Sequence, residues 1–254
     1  MKNILVVITT AFVPTGGLTT VMMNYYRMMN KEEVKIDFAS TNNPPQVLLD
    51  EIHASGSEYY QLSDRKNVLA YFFALKKLCR GYDAIHVHAN SAMAVMELQA
   101  AIWAGIKIRI IHNHSSRSQH NLLNQLFLSL YRRSFTQAVA CSDEAGEWLY
   151  GKNGFITLRN AINAKRFKFD VVKRLIMRHN FGFGDDEYVI GHIGKFMEAK
   201  NHSFLIEVFA KYHALQPKSK LLLIGDGELR HLVEAAIDKN KVNDCVILLS
   251  LIHI

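Results

Sequence analysis

The chain has 254 residues, 49% of them apolar and 21% charged, with 14 Gly and 4 Pro, which excludes a disordered or fibrous protein and leaves material for one to two cored domains. Lys and Arg (30) outnumber Asp and Glu (23) for a net charge of +7, which favours anionic partners such as phosphates, anionic lipid or nucleic acid without choosing among them. Cys79, Cys141 and Cys245 lie far apart without CxxC or His-Cys spacing, so neither a zinc site nor a disulfide framework is expected and a reducing cytoplasm fits.

The opening MKNILVVITTAFVP has the charge and apolar run of a signal peptide but no small-x-small cleavage site. Its β-branched run, followed by a glycine turn, reads as a buried first strand over 4–9. No stretch reaches the roughly 18–20 apolar residues of a membrane span, so membrane contact is expected to be peripheral. Further along, the pattern predicts helices over 18–29, 45–53, 68–78, 92–103 and 120–133. Strands are expected over 34–39, 58–61, 84–89, 106–114 and 138–141, and Ser142-Asp143-Glu144 is a helix N-cap with acids in the first turn. Nearly continuous apolar strands alternating with helices predict a parallel sheet covered on both faces, a doubly wound, Rossmann-like domain.

After FITLRNAIN (155–163) the sequence turns basic and irregular through AKRFKFDVVKRLIMRHNFGFGDDE, and the strand-helix rhythm then restarts. Strands are expected over 188–194, 220–227 and 245–249, with helices over 201–215 and 228–239. The organisation read from this is an N-terminal domain over 1–165, a linker region over 166–185 and, over 186–254, the first half of a second doubly wound domain.

In an open parallel sheet, ligands bind at the carboxyl ends of strands, so residues there carry the functional reading. Gly16 and Gly17 open the first helix, where paired glycines admit close backbone approach and leave helix amides for phosphate or hydroxyl oxygens; a tight strand-helix turn explains them equally well. No GxGxxG or GxxxxGK[ST] is present. The pairs His86/His88 and His112/His114 each project to one sheet face, and the last of each pair, His88 and His114, is nearest the strand end. Core histidines and a metal site are the other readings. With only Asn90 and Asn113 nearby and no carboxylate or cysteine, no metal is expected. In the second domain Lys195 and Lys200 bracket the turn after a strand, poorly placed for the helix dipole unless an anion sits with them. IGDGELR (224–230) supplies a further glycine turn with Glu228 at a helix start.

These pieces, GGLTTVMMNYYR, IHVH, IHNH, VACSDEAGEWLYG, RNAIN followed by Phe167, IGHIGKFMEAKNHSFLIEVF and LLLIGDGELRHLVE, resemble the retaining GT-B glycosyltransferases of family four. The wording is closest to capsular and exopolysaccharide transferases. The resemblance implies an α/β GT-B protein of two Rossmann-like domains, the second incomplete, facing a cleft with acceptor mainly on the first and sugar nucleotide mainly on the second. It implies that Lys195 and Lys200 hold the donor diphosphate, Lys195 standing where an arginine is usual. Gly16 and Gly17 form the loop near the donor phosphate, His114 sits near the transferred sugar, and His88 and Asn90 fall on the acceptor side. Gly194, Gly225, Asp226, Gly227 and Glu228 line the nucleotide side. The lysines stand in for a divalent ion, so no cofactor is implied beyond the nucleotide-sugar substrate, and the acceptor is a saccharide or lipid-linked saccharide.

The sequence departs from that pattern in two places. RNAIN lacks the usual glycine and acid of its turn. The E-x7-E segment is expected after 245–249, where the sequence reads SLIHI. The expectation is therefore a cytoplasmic transferase fragment, peripheral at the inner membrane face, with a C-terminal truncation, little or no activity and 250–254 of non-native origin. Two rivals are a non-catalytic module using Arg132-Arg133 and the basic run 165–178 on an anionic membrane or partner, and a GT-B nucleotide-sugar epimerase. Nucleic acid is not expected, because no recognition module or aromatic-basic interleaving appears.

Overall fold

The computed structural model describes residues 1–117 and 121–250. The short β-branched runs become the strands β1 (Lys2–Ile8), β2 (Val34–Ser40), β3 (Tyr59–Gln61), β4 (Ala84–Ala89), β5 (Ile108–Asn113), β6 (Gln137–Ala140) and β7 (Ile156–Thr157). They pair in parallel in the order β3-β2-β1-β4-β5-β6-β7. The helices between them are α1 (Gly17–Met28), α2 (Gln46–Ala54), α3 (Val68–Cys79), α4 (Val95–Ala104), α5 (Asn121–Ser134) and α6 (Asp143–Tyr150). Strand order reverses between β1 and β4, where Ile8 lies level with His88. That reversal opens the crevice in which doubly wound sheets bind ligands.

Alternate residues of the central strands serve two cores. Val6, Ile8, Ile36 and Phe38 pack with Met22, Met23 and Tyr26 of α1 and Leu48 and Ile52 of α2. Leu5, Val7, Ile85, Val87 and Ile111 face the other way, against Tyr71, Leu75, Leu98, Tyr131 and Leu149. A parallel strand covered on both faces needs apolar residues at every position, which is why β1 reads as an unbroken run.

The second unit contains α7 (Val171–Asn180), β8 (Tyr188–Ile193), α8 (His202–Leu215), β9 (Ser219–Ile224), α9 (Arg230–Lys239) and β10 (Val246–Leu249). Its three strands are parallel in the order β10-β9-β8 around Phe196, Ile206, Phe209, Leu221, Leu223 and Val233. The chain divides into two compact units, Met1–Arg166 and Phe167–Ile254.

Three expectations change. The stretch 166–185, read as an irregular linker, carries α7. Asp170 caps that helix by accepting from the amides of Val172 (2.9 Å) and Lys173 (3.0 Å), and Arg178 donates to the carbonyls of Gly184 and Glu187, tying the helix to the approach to β8. The stretch 155–163, for which no strand is expected, carries the short β7, which pairs with β6 and is followed by the Leu158 amide donating to the Ala140 carbonyl at 2.8 Å. The helix expected from 92 begins as a 3-10 turn, Ala92–Ala94, before α4. Residue 120 of one expected helix, and residues 251–254 of the C-terminal stretch expected to be non-native, lie outside the described residues.

Candidate functional site: strand ends of the two parallel sheets

In the first unit, the carboxyl ends of β1, β4 and β5 come together. The Thr9 amide and hydroxyl both donate to the His88 carbonyl, at 3.1 and 3.0 Å, and the His114 amide donates to the Ala89 carbonyl at 3.2 Å. The turn into α1 is closed by the Gly16 amide on the Val13 carbonyl (2.9 Å) and by Thr20 Oγ1 on the carbonyls of Pro14 and Gly16. No side chain caps α1. A Cβ at Gly16 would lie 3.2 Å from the Val13 carbonyl oxygen, whereas at Gly17 it would meet nothing within 4 Å. Gly16 therefore answers to turn packing, and Gly17 leaves open space over the first helical turn. Asn90 follows β4 with its side-chain oxygen buried and without a hydrogen-bond partner among the described residues.

Register explains the histidines. His88 is level with His112 on the adjacent strand, so the two-residue spacing stacks four imidazoles on the α1 side of the sheet. Ring centroids are 4.3 Å apart for His86/His88, 5.0 Å for His88/His112 and 4.2 Å for His112/His114, and Nδ1 of His88 lies 2.9 Å from Nε2 of His114. Burial is the main reason that all four are held neutral. It lowers His86 and His114 to about 4, His112 to about 2 with His114 and His86 adding to the effect, and His88 well below its ordinary value. The strand-end preference for His88 and His114 thus separated residues that the fold keeps together. What could have revealed the cluster was the identical spacing of IHVH and IIHNH on consecutive strands of one parallel sheet. Asn113, by contrast, is structural: its side-chain amide donates to the carbonyls of Ser115 and Ala145, both at 2.7 Å.

In the second unit the β8 and β9 exits interlock. The Gly194 amide donates to the Ile224 carbonyl (2.9 Å), Phe196 to the Asp226 carbonyl (2.9 Å) and Leu229 to the Phe196 carbonyl (3.2 Å). A Cβ on Gly225 would sit 2.0 Å from the Gly194 carbonyl oxygen, and one on Gly227 (φ +158°) 2.4 Å from that of Phe196. These glycines are required by loop-on-loop contact. Asp226 accepts from the Gly227 amide (2.8 Å) and from Ser250 (3.1 Å), which hold its carboxyl below the usual range. Glu228 is exposed in the turn before α9.

Lys195 and Lys200 are both exposed, and among the described residues neither forms an ion pair. The Lys200 stem folds back over Gly194, where a Cβ would lie 3.7 Å from its Cγ and Cδ. Next to Lys200, Asn201 takes a left-handed conformation (φ +47°) and starts α8 without a side-chain cap among the described residues. Two unpaired cations and uncapped amides at one strand exit form an arrangement that an anion completes. His202 beside them is 4% exposed with Nε2 lacking a partner among the described residues, its ring 4.7 Å from Phe196. The sequence reading did not single it out.

Two helix-covered parallel sheets with ligand-type turns at their carboxyl ends are the GT-B class of fold. Solved structures support it: Anabaena Alr3699/HepE in complex with UDP and glucose aligns with a TM-score of 0.79 at 16% identity, over 98% of this chain and 69% of that one. WaaG, a glycosyltransferase involved in lipopolysaccharide biosynthesis, aligns with a TM-score of 0.66 at 14% identity over 97% and 70%. The family described as Glycosyltransferase Family 4 matches residues 15–172, and the chain belongs to it; Glycosyl transferases group 1 matches residues 173–252. The chain is similar to the putative glycosyltransferase EpsF of Bacillus subtilis (strain 168), 28% identical over 250 residues covering 92% of this chain and 65% of EpsF. It is 23% identical over 234 residues to N-acetyl-alpha-D-glucosaminyl L-malate synthase of Bacillus anthracis, covering 86% and 60%. The chain thus spans about two thirds or less of these relatives' lengths.

Proposed function

We propose that the protein takes part in transfer of a hexosyl group, with retention, from a nucleotide-diphosphate sugar to a polysaccharide or lipid-linked acceptor. The observation that carries this is the pair Lys195 and Lys200, without ion pairs among the described residues, beside the uncapped start of α8 in a chain of glycosyltransferase family 4. Breaking the anomeric bond leaves negative charge on the departing diphosphate while the sugar becomes oxocarbenium-like. Cations and amides already in place there stabilise the transition state more than the ground state, and no divalent ion is needed for that purpose. His114, held neutral by burial at the end of β5, offers a hydrogen bond to a sugar hydroxyl without adding charge. In this reading His88 and Asn90 fall on the acceptor side, Gly16 and Gly17 near the donor phosphate, and Gly194, Gly225, Asp226, Gly227 and Glu228 on the nucleotide side. The UDP found with HepE and the likeness to the putative glycosyltransferase EpsF support a nucleotide sugar as donor, and an exopolysaccharide or capsular product belongs to the same proposal.

The place of action is the cytoplasm, peripheral to the inner face of the membrane. No helix among the described residues is long and apolar enough to cross a membrane. On α7, Val171, Val172, Leu175 and Ile176 are exposed beside Lys173 and Arg174, a pattern that suits anionic lipid. Purified protein titrated with UDP- and GDP-sugars tests the donor reading: saturable binding is expected, and the absence of binding overturns it. A second reading, epimerisation of the nucleotide sugar, is favoured by the fold likeness to UDP-GlcNAc 2-epimerase of Neisseria meningitidis (TM-score 0.58, 11% identity). Donor supplied alone to a longer relative separates the two, since only an epimerase converts it without acceptor.

A further inference from the structure

The stacked histidines pose a hydrogen-bonding problem that the transfer reading does not solve. A neutral imidazole has one donor and one acceptor nitrogen. Both ring nitrogens of His112, which is 1% exposed, and Nε2 of His86 are buried without partners among the described residues. Unpaired buried polar atoms are costly, and a native fold that keeps three of them side by side calls for a ligand. One ligating nitrogen from each of His86, His88 and His112 lies within 4.8 Å of the other two. A tetrahedral ion bound at 2.0–2.1 Å puts its ligand nitrogens about 3.3 Å apart, a contraction that small ring rotations supply. Beside the rings is a cavity of about 280 Å³ walled mostly by apolar side chains such as Met22, Phe38 and Val139, with Tyr25 and Gln137 also lining it. It has room for a water at a fourth position, where the bond to an ion would replace the hydrogen bonds that apolar walls lack.

We propose that His86, His88 and His112 bind one borderline divalent transition-metal ion, Zn²⁺ or a first-row neighbour, through three imidazole nitrogens, with the fourth position open to the cavity. Three imidazoles without thiolate or carboxylate suit Zn²⁺, Ni²⁺ or Cu²⁺ and not Mg²⁺ or Ca²⁺. The sequence expectation of no metal rested on the missing carboxylate or cysteine, which an all-imidazole site does not need. His88 engages His114 through Nδ1, which leaves its Nε2 for the ion and makes His114 the outer partner that orients the ligand. The site belongs to the first unit and Lys195 and Lys200 to the second, so it stands whether or not the transfer reading does.

The test uses the full 254-residue chain without a histidine tag, stripped with chelator and titrated with Co²⁺ as a visible probe and with Zn²⁺. One equivalent of Co²⁺ is expected to bind with the intense d–d absorption of a four-coordinate site, and Zn²⁺ to displace it. His112→Gln and His86→Gln, checked for native circular dichroism, should each weaken binding at least tenfold, and His114→Ala should weaken it roughly tenfold to a hundredfold. X-ray absorption on the unaltered chain loaded with one equivalent of Zn²⁺ counts imidazoles without relying on any variant. Three or more imidazoles support the site. Two or fewer, no saturable Co²⁺ binding, or undiminished affinity in both glutamine variants overturns it.

Discussion

Lys195 and Lys200 lack carboxylate partners among the described residues, as do Lys168, Arg174, Lys211, Lys239 and Lys241, whereas Lys218 pairs with Asp186, Lys220 with Glu187 and Arg230 with Glu234. What sets the first two apart is their place at the exit of β8. A lysine is a point charge, whereas arginine presents a planar fork that grips two phosphate oxygens. Lys195→Arg is therefore expected to tighten binding of a nucleotide diphosphate severalfold, read by calorimetric titration; weaker binding would argue that Lys195 does not reach the phosphates. The histidine cluster makes a separate prediction for metal-stripped protein. The four rings face one another across β4 and β5, Tyr25 and Gln137 line the same cavity, and among the described residues no acid joins the cluster to stabilise a cation there. Their folded pKa values lie below the unfolded value of about 6.5, chiefly through burial, so the unfolded chain takes up protons first. Stability is complete above about pH 6.5 and falls as pH drops towards about 4. Melting temperature at pH 7.5, 6 and 5 should decline steadily in this range, and a flat profile would show that the rings are solvated.

At the scale of elements, what the sequence revealed depended on where the controlling contact lies. β1 is legible because burial on both faces demands an apolar residue at each step of 4–8, while β2 and β4 are legible from β-branched runs that Lys35, Asp37, His86 and His88 interrupt. Ser142 advertises α6, its side chain accepting from the Ala145 amide at 3.1 Å. α7 was missed although Asp170 caps it: its basic residues mask an apolar face of Val171, Val172, Leu175 and Ile176 that stays exposed in the fold, so no burial pattern marks it. Gly225 and Gly227 were legible as a glycine turn but not as the surface on which the β8 exit rests, because that contact joins residues about 30 apart. Gly225→Ala forces a methyl to within 2.0 Å of the Gly194 carbonyl oxygen and is expected to destabilise the second unit by about 1–3 kcal/mol. Hydrogen exchange should rise across β8 and β9 and not across β1 and β4. Unchanged protection in β8 would mean that the loops are not in contact. The histidine spacing was visible, yet the cluster appears only once β4 and β5 are known to be neighbours in register.

At the scale of the molecule, the first unit has its sheet and two cores, while the second leaves much apolar surface uncovered among its described residues. Ile193 of β8 is 71% exposed, Leu215 of α8 78% and Phe204 59%. Surface of this kind, along a strand edge with unpaired backbone groups, favours association. Sedimentation velocity on the 254-residue chain should show concentration-dependent association that mild detergent relieves; a monodisperse monomer at all concentrations would contradict this. The net charge of +7 acts over the same scale and favours encounter with anionic ligands. The central claim, that the β8 exit holds the donor diphosphate, is tested most directly by titrating UDP and GDP into the chain and into Lys195→Ala/Lys200→Ala while following backbone amide resonances. The account predicts shifts centred on Gly194 and Asn201 and an affinity at least tenfold lower in the double variant, whereas equal affinity or shifts confined to the first unit would contradict it.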